Sequence, residues 1–224
     1  MSEKNHPLVI TVGRQFGSGG RELGKLLADT FGLKYYDKEL LADAAEKAGL
    51  DKEFFEKSDE RAPSFLDGLF AFSHGMSLVN FYAGSTSISD DSIYRAQSDF
   101  IEELAMREPC VIVGRTADYV LRDHPRLISV FVHAPIEECA ARIVRREPEM
   151  TLEKARSRFH KVNKLRANYY NFYTDKNWGM AGSYDLTIDT SKMPMADIVE
   201  IVGEYARRRY GADVFDRSDK PSEA

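Results

Sequence analysis

Short apolar runs rich in β-branched residues alternate with segments of helical periodicity along much of this chain. The runs that qualify as candidate strands are residues 8–12, 34–36, 110–113, 127–133 and 184–188. Such alternation is typical of a parallel sheet whose faces are covered by helices. The hydrophobic pattern therefore predicts an α/β fold.

Three helices are predicted from apolar residues that recur at spacings of three and four. Residues 21–31 place three leucines on one side, and Gly32 is positioned to end this helix. A second helix is expected over residues 38–48, and a long third helix over residues 151–173. The apolar stripe of the long helix consists of Leu152, Ala155, Phe159, Val162, Leu165, Tyr169 and Phe172.

Residues 51–108 interrupt this alternation, because they are rich in aromatic residues, glycine and serine yet contain no clear strand pattern. We interpret them as a mostly helical insert within a single domain. The last residues, 215–224, are polar and are expected to be frayed.

The composition is that of an ordinary globular protein, with 43% hydrophobic and 30% charged residues among 224. There are 36 acidic and 31 basic residues, which gives a net charge of −5. No general basic field exists to attract nucleic acid or an anionic membrane, so we expect neither as a partner. Any anion site must be local.

The first residues lack a basic region followed by an apolar stretch, and no apolar run approaches the roughly 20 residues that span a bilayer. We therefore expect a cytoplasmic protein. Cys110 and Cys139 lack metal-ligand or redox spacing, which favours buried, reduced thiols, and we assign no metal-ligating residue.

A glycine-rich loop lies between the first strand and the first helix, in the segment VITVGRQFGSGGRELGKLL. Such a loop directs backbone N–H groups and the positive end of the helix toward one point, where a phosphate can bind. The usual phosphate-binding motif has a lysine after its last glycine, but here Gly19 is followed by Gly20. Arg21 or Arg14 would then supply the charge, while the alternative is a tight turn without a ligand.

Five segments together resemble the cytidylate kinase-like family of P-loop nucleoside monophosphate kinases. They are GRQFGSGGRELGKLLADTFGLKYYDKELL, VIVGRTADYVL, FVHAPIEECAARIVRRE, KVNKLRANYYNFYTDKNWG and YDLTIDTS. The resemblance implies five parallel strands, with a core of residues 8–50, 109–147 and 182–210, a helical acceptor-binding insert at 51–108 and a lid at 148–181. It also implies ATP with Mg²⁺ as the phosphoryl donor.

The resemblance assigns candidate residues to the donor side of such a kinase. In cytidylate kinases a lysine stands at the position of Gly20 and a threonine near that of Glu22. With Arg14 and Arg21, which were chosen above for their charge, the candidate donor-binding residues are Arg14, Gly17, Ser18, Gly19, Gly20, Arg21 and Glu22.

Phosphoryl transfer requires positioned cations around the migrating group, and the resemblance locates several of them in the lid and in the helix before it. The candidate catalytic residues are Arg21, Arg142, Arg145 and Arg166. The candidate acceptor-binding residues are Asp37, Arg115, Asp118, Lys161 and Asn163.

Some of these residues also have purely structural interpretations. Asp37 either contacts the acceptor or caps the helix over residues 38–48, and the sequence favours neither. Thr116 stands where the family has an aspartate, for which Asp118 would compensate one helical turn later. Trp178, Tyr169 and Tyr170 are expected to be packing residues rather than base-stacking ones.

The resemblance therefore implies a kinase that transfers the γ-phosphoryl group of ATP to a nucleoside monophosphate, with CMP or dCMP as the leading acceptor. Two alternatives stay open: a P-loop kinase for another small metabolite, and a nucleotide-binding regulator that has lost catalysis together with the motif lysine. The oligomeric state is not predicted.

Overall fold

The computed structural model describes residues 6–47, 49 and 90–216. In this part of the chain five strands are β1 (Val9–Arg14), β2 (Lys34–Tyr36), β3 (Cys110–Val113), β4 (Leu127–His133) and β5 (Leu186–Asp189). The helices are α1 (Gly20–Phe31), α2 (Lys38–Lys47), α3 (Asp90–Arg107), α4 (Ala117–Val120), α5 (Ile136–Arg146), α6 (Leu152–Tyr173) and α7 (Met195–Tyr210).

The five strands form one parallel sheet in the order β2-β3-β1-β4-β5. Val9 in the central strand pairs with Cys110 on one side and with Leu127 on the other. The β1–β4 pairing continues as far as Arg14 and Val132, so the chain enters the glycine loop directly from the sheet. The predicted α/β fold with five parallel strands is confirmed.

Helices bury both faces of the sheet. On one face Leu23 and Leu27 of α1 and Ile198 of α7 pack against apolar side chains of β1, β3 and β4. On the other face Leu41 of α2 and Ile101 of α3 pack against the sheet. Because β1 is covered on both faces, its carboxyl end is held in place where the glycine loop begins.

A separate small core joins α5 to α6. Cys139, Ala140 and Ile143 of α5 pack against Ala155 and Phe159 of α6. This contact determines where the arginines of both helices lie relative to the sheet.

The element boundaries differ from the predicted ones by a few residues. β1 extends two residues further than expected, through Arg14, because it continues to pair with β4. β5 begins at Leu186 rather than at residue 184, since a short 3₁₀ helix (Ala181–Ser183) precedes it. Thr151 lies before α6 and caps it, accepting a hydrogen bond from the backbone N–H of Lys154.

Some finer predictions need correction. Leu152 and Phe172 were expected in the buried stripe, but they are exposed because they lie at the two ends of α6. Phe215 was expected in a frayed tail, but its ring stacks on Phe31 with the centroids 4.0 Å apart. Residues 90–107 of the predicted insert are helical, while residues 51–89 lie outside the described residues.

Both cysteines are buried thiols, as predicted. Burial raises the pKa of Cys110 to about 12 and that of Cys139 to about 11. Neither thiol is therefore a reactive thiolate at neutral pH.

Candidate functional site

The glycine loop is fixed to the edge of strand β4. The backbone N–H of Gln15 donates to the carbonyl oxygen of Val132 at 3.0 Å. The Ser18 hydroxyl, fully buried, lies 3.1 Å from the same carbonyl oxygen and 2.9 Å from that of Gln15. Gly17 and Gly19 have φ angles of 80° and 88°, which side chains rarely tolerate. The loop is therefore held rigidly against the sheet.

Helix α1 begins directly after this loop with no side-chain cap. Gly19 is its N-cap residue and no side chain accepts from the first-turn N–H groups. These N–H groups lack partners inside the helix and carry its positive partial charge. The twelve-residue helix and the loop thus form the backbone part of a phosphate site.

Around the loop lies a cleft of about 440 Å³ with a strongly cationic lining. Two carboxylates, Asp37 and Glu147, also line it. The cationic side chains are Arg14, Arg21, Lys38, Arg146, Arg158 and Arg166. This lining suits a ligand with several phosphates, which the planar guanidinium groups would bind through paired N–H donors.

The cleft brings together many of the residues predicted from the sequence. Those that line it are Arg14, Gly17, Gly19, Gly20, Arg21, Asp37 and Arg166. Ser18 lies beneath the loop as its anchor, and Glu22 is exposed on α1 and is not part of the lining.

Arg21 makes ion pairs at the rim of the cleft. Its Nε lies 3.3 Å from Asp37 Oδ2, its Nη2 lies 3.5 Å from Glu39 Oε1, and its side chain is 59% exposed. Asp37 and Glu39 would therefore compete with a phosphate for Arg21, which was predicted to take the place of the missing lysine.

Asp37 fits both interpretations of its position. Its Oδ1 accepts hydrogen bonds from the backbone N–H groups of Glu39 and Leu40 at 3.1 and 3.2 Å, which caps α2. Its Oδ2 accepts from the Tyr35 hydroxyl at 3.3 Å and faces Arg21. Burial, together with Asp37, raises the pKa of Tyr35, so this phenol stays protonated as a donor.

Arg142 requires a correction, because its guanidinium group is built into the loop support. Nη1 donates to the Ser18 carbonyl oxygen at 2.9 Å and to Thr190 Oγ1 at 2.7 Å, and Nη2 donates to the Thr190 carbonyl oxygen at 2.8 Å. Thr190 Oγ1 itself lies 2.7 Å from the Ser18 carbonyl oxygen. Arg142 thus connects the loop to the end of β5, and we do not retain it among residues that touch the transferred group.

The cations of α5 and α6 that reach the cleft are not all the predicted ones. Arg145 and Lys161 are exposed and do not line it, whereas Arg146 and Arg158 do. Arg158 donates to both Glu147 carboxylate oxygens at 2.8 and 2.6 Å. Which of the neighbours Arg145 and Arg146 faces the cleft depends on the rotation of helix α5 about its axis. The apolar spacing of so short a helix did not determine that rotation.

Asn163, predicted to bind the acceptor, contacts the glycine loop. Its Oδ1 accepts a hydrogen bond from the backbone N–H of Phe16 at 2.7 Å. Nearby, Arg166 Nη1 donates to the Arg14 carbonyl oxygen at 3.1 Å. The guanidinium groups of Arg158 and Arg166 lie 5.2 and 5.8 Å from the centroid of the Phe16 ring. Helix α6 is thus attached to the glycine loop, and Asn163 positions that loop.

A second, much smaller cavity of about 20 Å³ follows the carboxyl end of β3. Gly114, Arg115 and Thr116 have φ angles of 84°, 62° and 52°, three consecutive left-handed residues. This conformation costs energy in arginine and threonine, and such strain is often found at binding sites. Arg115 and Asp118, both predicted to bind the acceptor, line this cavity.

Asp118 is buried beside an aromatic hydroxyl group. The Tyr170 hydroxyl donates to its Oδ2 at 2.6 Å, and burial raises the pKa of the carboxyl group. Tyr169, Tyr170 and Trp178 line the same cavity. Tyr169 and Tyr170 are buried, and the Trp178 ring packs edge-on against Phe131 at 5.3 Å, in keeping with a packing role.

Arg14 and Arg166 line both the large cleft and the small cavity. They therefore lie between the glycine loop and the residues that follow β3. The sequence named both residues but gave no indication that they would share this position.

Among the described residues no cluster of three or more His, Cys, Asp or Glu side chains forms a metal site. None of the helices in the ranges the structure describes is long and apolar enough to cross a membrane.

Comparison with known proteins agrees with the resemblance noted in the sequence. The model of the cytidylate kinase-like family matches residues 9–192, which include the glycine loop, the arginines of α5 and α6, and strand β5. The chain belongs to this family.

Two curated relatives are cytidylate kinases from archaea. The enzyme of Methanopyrus kandleri is 27% identical over 83% of this chain and 86% of its own length. That of Pyrococcus furiosus is 29% identical over 87% of this chain and 86% of its own length. Among solved structures, an uncharacterized protein from Eubacterium ventriosum is 27% identical, with a TM-score of 0.66 over 89% of this chain and 98% of that one. The predicted membership of a family of P-loop kinases is confirmed.

Proposed function

We propose that this protein transfers the γ-phosphoryl group of MgATP to a nucleoside monophosphate, with CMP or dCMP as the leading acceptor. The observation that carries the proposal is the cationic cleft over the glycine loop, which Arg14 and Arg166 share with the cavity after β3. Direct phosphoryl transfer needs a donor site and an acceptor site that meet at the migrating group. The archaeal relatives, as cytidylate kinases, support the choice of acceptor.

The donor phosphates would bind to the backbone of the loop and the first turn of α1. Because Ser18 and Arg142 hold the loop before any ligand arrives, its N–H groups need little rearrangement on binding. Arg146, Arg158 and Arg166 would then surround the outer phosphates from the side of α5 and α6.

The acceptor would bind beyond Arg14, toward the carboxyl end of β3. Open α/β sheets bind ligands at this edge, outside the carboxyl ends of the strands. Arg115 would contact the acceptor phosphate. Asp118 would bind the acceptor through its carboxyl group, which also accepts the hydrogen bond from Tyr170. Transfer between two bound nucleotides requires no covalent intermediate on the protein.

Magnesium would arrive with the ATP phosphates and neutralise part of their charge. Mg²⁺ commonly binds through one or two carboxylates, substrate phosphates and several waters. Asp37 and Glu147 are the carboxylates of the cleft and fit such a partial set of ligands. Both already face arginines, so a ligand would have to compete for them.

The second candidate is a regulator that binds nucleotides without turning them over, and Gly20 at the lysine position favours it. A coupled assay of ADP release, run over a panel of nucleoside monophosphates and small alcohols, decides between the two. We expect release that depends on acceptor and is greatest with CMP or dCMP.

Stimulation by a small alcohol alone would instead indicate a kinase for another metabolite. Tight ATP binding with no release stimulated by any acceptor would contradict kinase activity and favour the regulator. Reactions without acceptor give the background rate of ATP hydrolysis.

A further inference from the structure

Arg14 and Gly20 hold exchanged positions relative to the common phosphate-binding motif. In G-x-x-x-x-G-K the first glycine and the lysine stand six residues apart. When the motif is aligned on Gly19, Arg14 stands at the position of the first glycine and Gly20 at that of the lysine. The loop therefore has a long cation where the motif has none, and no side chain where the motif has its cation.

The side chain of Arg14 fills the space that a side chain at residue 20 would need. A Cβ atom added to Gly20 would collide with Arg14 Cβ and would lie 2.8 Å from Arg14 Cγ. These atoms are the stem of the side chain, next to the backbone of β1, and cannot easily move away. Gly20 is in the helix and has no positive φ angle, so lack of space alone excludes a side chain.

A second glycine makes room for the far end of Arg14. A Cβ atom on Gly114 would collide with Arg14 Nη1 and would lie 2.7 Å from Cζ. The side chain of Arg14 thus extends from β1 across the start of α1 to the backbone that follows β3. Its guanidinium group lies beside both the cleft and the small cavity.

The backbone of Arg14 is fixed from two sides. It pairs with Val132 in the sheet, and its carbonyl oxygen accepts the hydrogen bond from Arg166. Arg21, the other candidate, is directed to Asp37 and Glu39 at the rim. Of these two candidates, Arg14 is therefore the one whose side chain crosses the start of α1.

We propose that Arg14 binds the β- and γ-phosphates of the donor in place of the motif lysine, and that Gly20 is required because it leaves space for the Arg14 stem. The inference rests on the proposed function, since it assumes a nucleoside triphosphate at the loop. The guanidinium group would offer the phosphates two parallel N–H donors, where a lysine offers a point charge. Loss of the lysine then does not imply loss of catalysis.

The test is calorimetric titration with MgATP of the full chain and of matched variants. Arg14→Ala should weaken binding roughly ten- to a hundredfold, the range for loss of a charge-assisted contact. Arg14→Met keeps an unbranched stem over Gly20 but has no charge, and should lose as much affinity. Arg21→Ala should lose clearly less, and Arg122→Ala, at an exposed site outside the cleft, is the unchanged control.

The decisive variant restores the motif lysine. Gly20→Lys alone should bind ATP poorly, because its side chain collides with the Arg14 stem, whereas Arg14→Gly/Gly20→Lys, which also removes the colliding Cβ atom, should recover affinity to within about tenfold of wild type. Circular dichroism of each variant shows whether it is folded.

Two results would overturn the inference in distinguishable ways. If the unchanged protein binds MgATP but folded Arg14→Met keeps its affinity within threefold, Arg14 does not contact the phosphates and the proposed function stands. If the unchanged protein does not bind MgATP at all, the donor site itself is wrong and the inference falls with it.

Discussion

At the scale of single residues, Asp118 is a carboxyl group held away from water beside the hydroxyl group of Tyr170. Burial raises its pKa in the folded protein above the ordinary value, although the Tyr170 hydrogen bond acts in the opposite direction. The folded state therefore holds this proton more tightly than the unfolded state does. Its contribution to stability is complete below the unfolded pKa and is lost as the pH rises through the folded pKa.

We expect Asp118→Asn to gain stability relative to wild type as the pH rises from 4 to 8, because the amide accepts the Tyr170 hydrogen bond without becoming charged. The gain should be about 1.4 kcal/mol for each unit by which the pKa is raised. Urea unfolding at several pH values measures it. Asp123→Asn, at an exposed carboxylate, should give a flat difference, and a flat difference for Asp118→Asn would show that its pKa is ordinary.

Arg142 affects the site through the backbone of the glycine loop, because it donates a hydrogen bond to the Ser18 carbonyl oxygen. Arg142→Ala removes the donors to the Ser18 and Thr190 carbonyl oxygens, so we expect a loss of about 1–3 kcal/mol in stability. ATP binding should weaken about tenfold because the loop is less well held. Chemical unfolding and ATP titration measure the two losses.

The matched control is Arg156→Ala, which breaks an exposed ion pair with Glu137 and should change stability much less than Arg142→Ala does. A lower turnover rate for Arg142→Ala, with stability and ATP affinity unchanged, would restore the prediction from sequence that Arg142 acts on the transferred group.

At the scale of elements, helix α6 and the glycine loop form one unit. Asn163, Arg158 and Arg166 of α6 all contact the segment that contains Phe16 and Arg14. A displacement of α6 would therefore change the loop that we propose to bind the donor phosphates. The predicted lid, residues 148–181, contains this helix.

We expect Asn163→Ala to leave the Phe16 N–H without its acceptor and to speed hydrogen exchange of that amide at least tenfold. Asn163→Asp keeps an acceptor oxygen and should retain most of the protection. Site-resolved exchange in the protein without nucleotide measures both. Equal protection of Phe16 in wild type and Asn163→Ala would mean that this hydrogen bond does not hold the loop to α6.

The sequence predicted the elements well where the signal is local. The run Cys110–Val113 between Pro109 and Gly114 indicates a buried strand without any knowledge of its neighbours. Contacts between distant residues were missed: Asn163 with Phe16 is separated by 147 residues, and Arg142 with Thr190 by 48. Nothing in local periodicity reports such pairings.

The same limit applies to the prediction of the candidate site. Spacing indicated the glycine loop and the family resemblance indicated the arginines, but neither showed which guanidinium groups point into the cleft. The choice between Arg14 and Arg21 depends on Asp37 being near Arg21 and on the space beside Gly20 and Gly114. These are facts of the folded arrangement alone.

At the scale of the whole molecule, a net charge of −5 coexists with a cleft in which six cations face two carboxylates. The overall charge repels a nucleotide weakly at long range, while the cleft attracts it at short range. Partly exposed ion contacts are screened by salt.

Affinity for MgATP should therefore fall at least about threefold between 50 and 500 mM NaCl, as the Debye length shortens. Affinity for adenosine, which has no phosphate, should change little. Calorimetric titration at several salt concentrations gives both values. A parallel fall for the two ligands would indicate that salt acts on the fold rather than on contacts between phosphates and arginines.

The central claim is that this protein moves a phosphoryl group from ATP to a nucleoside monophosphate, and phosphorus NMR of the reaction tests it most directly. With MgATP and CMP, we expect the β-phosphate signal of CDP to appear as the γ-phosphate signal of ATP is lost, with ADP formed in equal amount. Formation of ADP and free phosphate alone, with no diphosphate product from CMP or any other nucleoside monophosphate tried, would contradict the account.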